Sequence, residues 1–196
     1  MKFKITLKID RKHGDLLPFN YQYEQSAVIY RILAQADTQY SSWLHENGYQ
    51  LNGSKRFKLF CYSPFIFEKI RPLPKEGCLN IMGERATWYI SFIPEKSTME
   101  FIQGIFAHQS FTIGNKKYQV AFDVVGVEAI PMPQLSEEMT FVALSPICVK
   151  LHEDNKTQYL SPDNPMFVEG VLKGLMARYE SIHGQPFDMN DKEIFI

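Results

Sequence analysis

Histidine exchanges a proton near neutral pH, so His13, His45, His108, His152 and His183 are the first residues to weigh as acids or bases. His45 falls in the last turn of an expected helix, where the negative end of the helix dipole suits a proton donor. His13 follows Arg11 and Lys12 in an early loop and is a candidate phosphate contact. The other three fall at expected element ends without paired ligand spacing, and no metal site is read. Cys61, Cys78 and Cys148 are odd in number, widely spaced and lack a Cys-x-x-Cys pair. That spacing argues against a disulfide framework and a structural zinc, and each is expected to be a small buried or half-buried apolar residue.

The net charge of -1 hides an asymmetry. Residues 1–75 hold 12 Lys plus Arg against 6 Asp plus Glu, a surplus of +6 that leaves -7 for the remainder. Such a split suggests a first half that faces a polyanion. The basic residues cluster as Lys2, Lys4, Lys8, Arg11 and Lys12, then as Lys55, Arg56, Lys58, Lys69, Arg71 and Lys75. A solvated basic face is the plain alternative. With 45% apolar residues the chain reads as globular rather than disordered. Its apolar runs, around Ile29 and Val124, fall far short of the roughly 20 residues that cross a bilayer. The opening MKFKITLKID lacks the pattern of a secretory signal, so a soluble, cytoplasmic protein is expected.

These residues need elements to hold them. Phe3, Ile5, Leu7 and Ile9 alternate with polar neighbours, which predicts a strand with one buried face. Pro18-Phe19-Asn20 ends a loop. Ala27, Val28, Ile32 and Leu33 then recur at helical intervals, and Asp37 can cap a second helix carrying Tyr40, Trp43 and Leu44, stopped by Asn47-Gly48. Phe57 to Ile70 is rich in Phe, Tyr and Ile and broken by Pro64, while Cys78 to Met82 and Thr87 to Ile93 read as strands. A helix runs from Pro94-Glu95 to about His108. A hairpin then turns at Gly114-Asn115 and continues to Ile130.

The resulting order, β-α-β-β-α-β, is that of a ferredoxin-like α+β domain spanning 1–130, with two helices on one sheet face and the other face open to a ligand such as RNA. Pro131-Met132-Pro133 links to a second ferredoxin-like unit, 134–196, with a strand from Thr140 to His152 and a helix from about Pro165 to His183. That second domain reads as incomplete, since the sequence stops thirteen residues beyond His183.

Leu17-Pro18-Phe19-Asn20-Tyr21, Ile29-Tyr30-Arg31, Leu44-His45-Glu46, Phe57-Lys58-Leu59-Phe60 and Leu144-Ser145-Pro146-Ile147 occur in an order that resembles the CRISPR pre-crRNA processing endoribonucleases of the RAMP superfamily. The resemblance implies tandem ferredoxin-like domains, a slow or single-turnover cut within each CRISPR repeat, and neither metal nor cofactor. It puts the catalytic histidine at His45, a companion tyrosine at Tyr30 and a lysine at Lys58, with Lys55 and Arg56 near enough to take the lysine's role. Lys2, Lys4, Arg11, Lys12, His13, Arg31, Lys55, Arg56, Lys69 and Arg71 are the expected RNA contacts. The sequence departs from the family in lacking a Gly-rich loop before a final strand, as expected of a truncated or degenerate member. Such loops bring backbone amides to phosphates, so the departure bears on RNA grip more than on chemistry.

Cutting RNA without a metal requires 2′-hydroxyl attack on the adjacent phosphate, a base to take the hydroxyl proton, an acid for the departing 5′-oxygen and a cation for the charged transition state. His45 suits the acid and Lys58 the cation. Tyr30, with an ordinary phenol value near 10, is a poor base unless a cation such as Lys58 or Arg31 stabilises its phenolate; it otherwise orients the ribose. Two other classes compete: a non-catalytic RNA-binding or scaffold subunit of a CRISPR effector complex, and a fragment whose open edge strand pairs with another copy as a homodimer.

Overall fold

The computed structural model describes residues 1–51, 55–153 and 156–187. In chain order the elements are β1 (Lys2–Asp10), β2 (Leu16–Pro18), α1 (Gln22–Ala36), α2 (Thr38–Glu46), β3 (Tyr49–Leu51), β4 (Lys55–Phe57), β5 (Phe60–Tyr62), β6 (Ile66–Phe67), β7 (Ile70–Leu73), β8 (Cys78–Ile81), β9 (Arg85–Phe92), α3 (Glu95–Ala107), β10 (Ser110–Gly114), β11 (Gln119–Ile130), β12 (Val149–Glu153), β13 (Lys156–Leu160) and α4 (Pro165–His183). The described residues fall into two compact units, one drawn from 1–46 and 60–145, the other from the described parts of 47–59 and 146–187.

The first unit is built on alternation. Phe3, Ile5, Leu7 and Ile9 of β1 are buried, as are Ala86, Trp88, Ile90 and Phe92 of β9. Phe101 of α3 meets three of these side chains, with ring centroids 4.9 Å from Phe92 and 6.4 Å from both Phe3 and Trp88. The principal sheet runs β10-β11-β1-β9-β5, with β6 also on β9 and every pairing antiparallel. Leaving aside β10, this is the order of a ferredoxin-like β-α-β-β-α-β unit, as the sequence predicts. The hairpin strand β10 widens its edge. Helices α1 and α3 cover one face in backbone-close contact, because a Cβ added to Gly104 would stand 1.8 Å from the Ile32 carbonyl oxygen.

Three expectations change. Cys78–Ile81 is a strand, but it belongs to a separate small sheet, β2-β8-β7, which also takes up Leu16–Pro18 from the expected loop. The strand expected from Thr140 begins only at Val149, and a hairpin partner, β13, follows it. Phe141, Val142, Leu144 and Ile147 have the composition of a strand but are exposed. Cys78 is buried as expected, whereas Cys61 and Cys148 are exposed.

The second unit comprises the hairpins β3–β4 and β12–β13 and helix α4. Asn164 caps α4 by accepting from the Met166 amide at 2.9 Å, Pro165 follows it, and left-handed Gly184 ends it. Val149 lies against Gly170, where a Cβ would stand 2.4 Å from its Cγ1, and the Arg178 guanidinium sits 5.1 Å from the Phe57 ring centre.

Candidate active site

His45 owes its position to three neighbours in sequence. Tyr40, Ser41 and Leu44 form the buried face of α2, which leaves His45 exposed in the last turn. The helix begins as expected at Asp37, whose Oδ1 accepts from the Tyr40 amide at 2.8 Å. That bond, with the Lys96 ammonium 3.2 Å from Oδ2, holds the Asp37 carboxyl below its ordinary value. Asp37 also closes α1, donating its amide to the Leu33 carbonyl at 2.9 Å. One residue thus sets the angle between the two helices.

Across that angle, Tyr30 meets His45 edge to face, ring centroids 4.9 Å apart at 85°. Tyr30 is half-buried, with Phe60 on β5 at 5.8 Å, and the Ser41 hydroxyl donates to its carbonyl at 2.8 Å. Burial, with a smaller contribution from Tyr62, pushes the Tyr30 phenol above 10.0. The phenolate that a base would need is therefore disfavoured, and Tyr30 can orient a substrate rather than take its proton.

Lys58 belongs to the second unit, directly after β4, and is half-buried. Burial first, and the charge of Arg56 second, lower its ammonium below 10.5. Lys55 and Arg56 on β4 are exposed.

The other expected contacts separate by what holds them. On β1, Lys2, Lys4, Thr6 and Lys8 point away from the helices; Lys4 pairs with Glu128 at 3.1 Å and the Lys2 ammonium lies 5.3 Å from the Tyr89 ring centre. Arg11 is committed to structure, donating to the carbonyls of Ile81 and Gly83 at 3.2 and 3.0 Å. Lys12 pairs with Asp10 at 3.0 Å, which raises its ammonium value. Arg31 donates to the Thr112 carbonyl at 3.3 Å, away from a phenolate role beside Tyr30. His13, Lys69 and Arg71 are exposed.

Sequence reasoning passed over Ser41 and Phe60, which fix Tyr30, and the outward row of β9, where Arg85, Thr87, Tyr89 and Ser91 share a face with Lys2, Lys4 and Lys8. The alternation of Arg85–Phe92 carried that second signal; nothing local carried the first. Among the described residues no group of three or more His, Cys, Asp and Glu gathers as a metal would require. No helix among them is long and apolar enough to cross a membrane.

Comparison with known proteins bears on the family and the fold. Residues 16–122 match the family model for the CRISPR-associated protein Cas6 N-terminal region, and residues 130–196 match that for its C-terminal region. The CRISPR-associated endoribonuclease Cas6 1 of Methanocaldococcus jannaschii is 30% identical over 95% of this chain and 69% of its own length. A solved structure described as a RAMP protein binding different RNA substrates superposes with a TM-score of 0.75 at 25% identity, covering 95% of this chain and 73% of that one. A Cas6-related protein from Pyrococcus furiosus shares the fold at a TM-score of 0.78 and 24% identity, over 96% and 73%. With both family models in chain order, and a relative at this identity over most of its length, the chain belongs to the CRISPR-associated Cas6 family.

Proposed function

We propose that this protein is a metal-independent endoribonuclease that cuts CRISPR repeat RNA to release guide RNAs for an effector complex. The 2′-hydroxyl attacks the neighbouring phosphorus, its proton passes to water at the exposed rim, and the bond from phosphorus to the 5′-oxygen breaks. His45 protonates that leaving oxygen. Tyr30 orients the ribose, and the resemblance to the family gives the Lys58 ammonium the role of meeting the charge that builds on the phosphate. A partly desolvated cation serves this last role well, because its attraction to an anion is less screened than in bulk water.

The observation that carries the reading is the edge-to-face pair of His45 and Tyr30, placed where α2 ends in solvent. The names of the relatives agree with it, one being an endoribonuclease and another an RNA-binding RAMP protein. Single-turnover cleavage of repeat RNA by His45→Ala tests it. General acid catalysis contributes about 10²- to 10⁴-fold, so the rate should fall by that factor while RNA affinity stays within about twofold. Unimpaired cutting by His45→Ala would remove His45 from the chemistry. Tight binding with no cutting by the unaltered chain would favour a non-catalytic RNA-binding subunit.

A further inference from the structure

Gly48 follows His45 by three residues and has a left-handed backbone, φ +67°. The angle alone favours glycine, but the space beside it is more demanding. A Cβ built there would stand 2.6 Å from the Phe57 carbonyl oxygen, 3.3 Å from Lys58 Cδ and 3.4 Å from Lys58 Nζ. The absent methyl is the slot along which the end of the Lys58 side chain runs. Gly184, in the same unit, has nearly the same angle, φ +68°, yet an added Cβ meets nothing within 4 Å. A turn explains glycine at 184; at 48 a close approach is needed as well.

The chain beyond Lys58 is held just as firmly. Leu59 is left-handed at φ +56° although it is not glycine, and it is 5% exposed. Backbone strain of this kind persists only where the surroundings dictate the conformation. Lys58 therefore leaves the end of β4 with a backbone turn fixed behind it and the Gly48 slot alongside.

We infer that Gly48 is a positioning residue for Lys58, setting where its ammonium stands by giving its stem the only room a Cβ would take. The inference rests on the proposed action of Lys58 at the scissile phosphate. Displacing a catalytic group by about 1 Å can cost about 10²-fold in rate, so a methyl at this point should be felt in cleavage and hardly in affinity.

The test compares single-turnover cleavage and repeat-RNA affinity for Gly48→Ala, Gly184→Ala, Lys58→Ala and the double variant Gly48→Ala/Lys58→Ala. Gly48→Ala should cut at least about tenfold more slowly with affinity within about twofold, and Gly184→Ala should cut at the normal rate. The double variant should be no slower than Lys58→Ala alone, which a general structural injury would not produce. Normal cutting by Gly48→Ala while Lys58→Ala is slow overturns the positioning role, as does a double variant slower than Lys58→Ala. Normal cutting by Lys58→Ala removes the role of Lys58 itself, a separate failure. Should thermal melting show Gly48→Ala unfolded, Lys58→Arg decides: its planar guanidinium is wider than the slot and should cut slowly, and full-rate cutting refutes the slot.

Discussion

Tyr30 and Tyr21 carry hydroxyls that burial makes hard to ionise, and the consequence can be measured in two ways. For catalysis, Tyr30→Phe should lower the cleavage rate by less than about tenfold, because a neutral phenol that orients a ribose is worth far less than a general acid or base. A loss as large as that of His45→Ala would make Tyr30 a proton carrier. For stability, both phenols have folded values raised above 10.0, so what they contribute is fully present below that pH and is lost as pH rises through the folded values. Denaturant unfolding at about pH 8 and about pH 11 should show the loss, and Tyr21→Phe should reduce it, since Tyr21 is the more deeply buried and accepts the Phe65 amide at 2.9 Å.

Among the elements, α1 is the one on which the candidate site depends most, and it is fixed at Gly104 and Asp37. Gly104→Ala would force a methyl into the Ile32 backbone carbonyl, so α1 or α3 must move. Overpacking of this kind costs about 1–3 kcal/mol or more, and the thermal midpoint should fall by several degrees, with cleavage falling alongside it because α1 carries Tyr30. Asp37→Ala should also lower the midpoint, and the unaltered protein should lose this contribution as pH falls through the depressed Asp37 value, below 3.8. Much of this was legible in sequence. The alternation of Phe3, Ile5, Leu7 and Ile9 gave the strand and its buried face, and Asp37 reads as a cap because its side chain can reach the amide three residues on. Cys78 to Met82 reads as a strand, but its place in the small sheet β2-β8-β7 was hidden, because its partners β2 and β7, of three and four residues, carry too little pattern. Phe141 to Ile147 misled for the opposite reason: its composition suits a strand, but strand propensity is decided by a partner and a buried face. Local pattern likewise placed His45 at a helix end and could not show that Tyr30, fifteen residues earlier, turns its ring toward it. Neither could it show the Gly48 slot, which exists only once β3 and β4 pair.

Taken whole, the molecule carries its net positive charge in residues 1–75, and its outward sheet face sets Lys2 and Lys4 beside Tyr89, with Lys8 farther along the same row opposite Arg85. If repeat RNA lies on that face, affinity should fall linearly with the logarithm of salt concentration, by about 0.7 for each phosphate neutralised on a single strand. Replacing Lys2, Lys4 and Lys8 together with Ala should reduce that slope by about 2 and leave the rate of bound RNA nearly unchanged. An unaltered slope would place the RNA elsewhere. The chemistry has a more direct test, made by incubating the unaltered protein with repeat RNA in EDTA beside the same RNA carrying a deoxynucleotide immediately upstream of the cut. The all-ribose strand should be cut and the substituted strand should not. Cleavage of both strands would contradict attack by the 2′-hydroxyl, and cleavage of neither until a divalent metal is restored would contradict a metal-independent reaction.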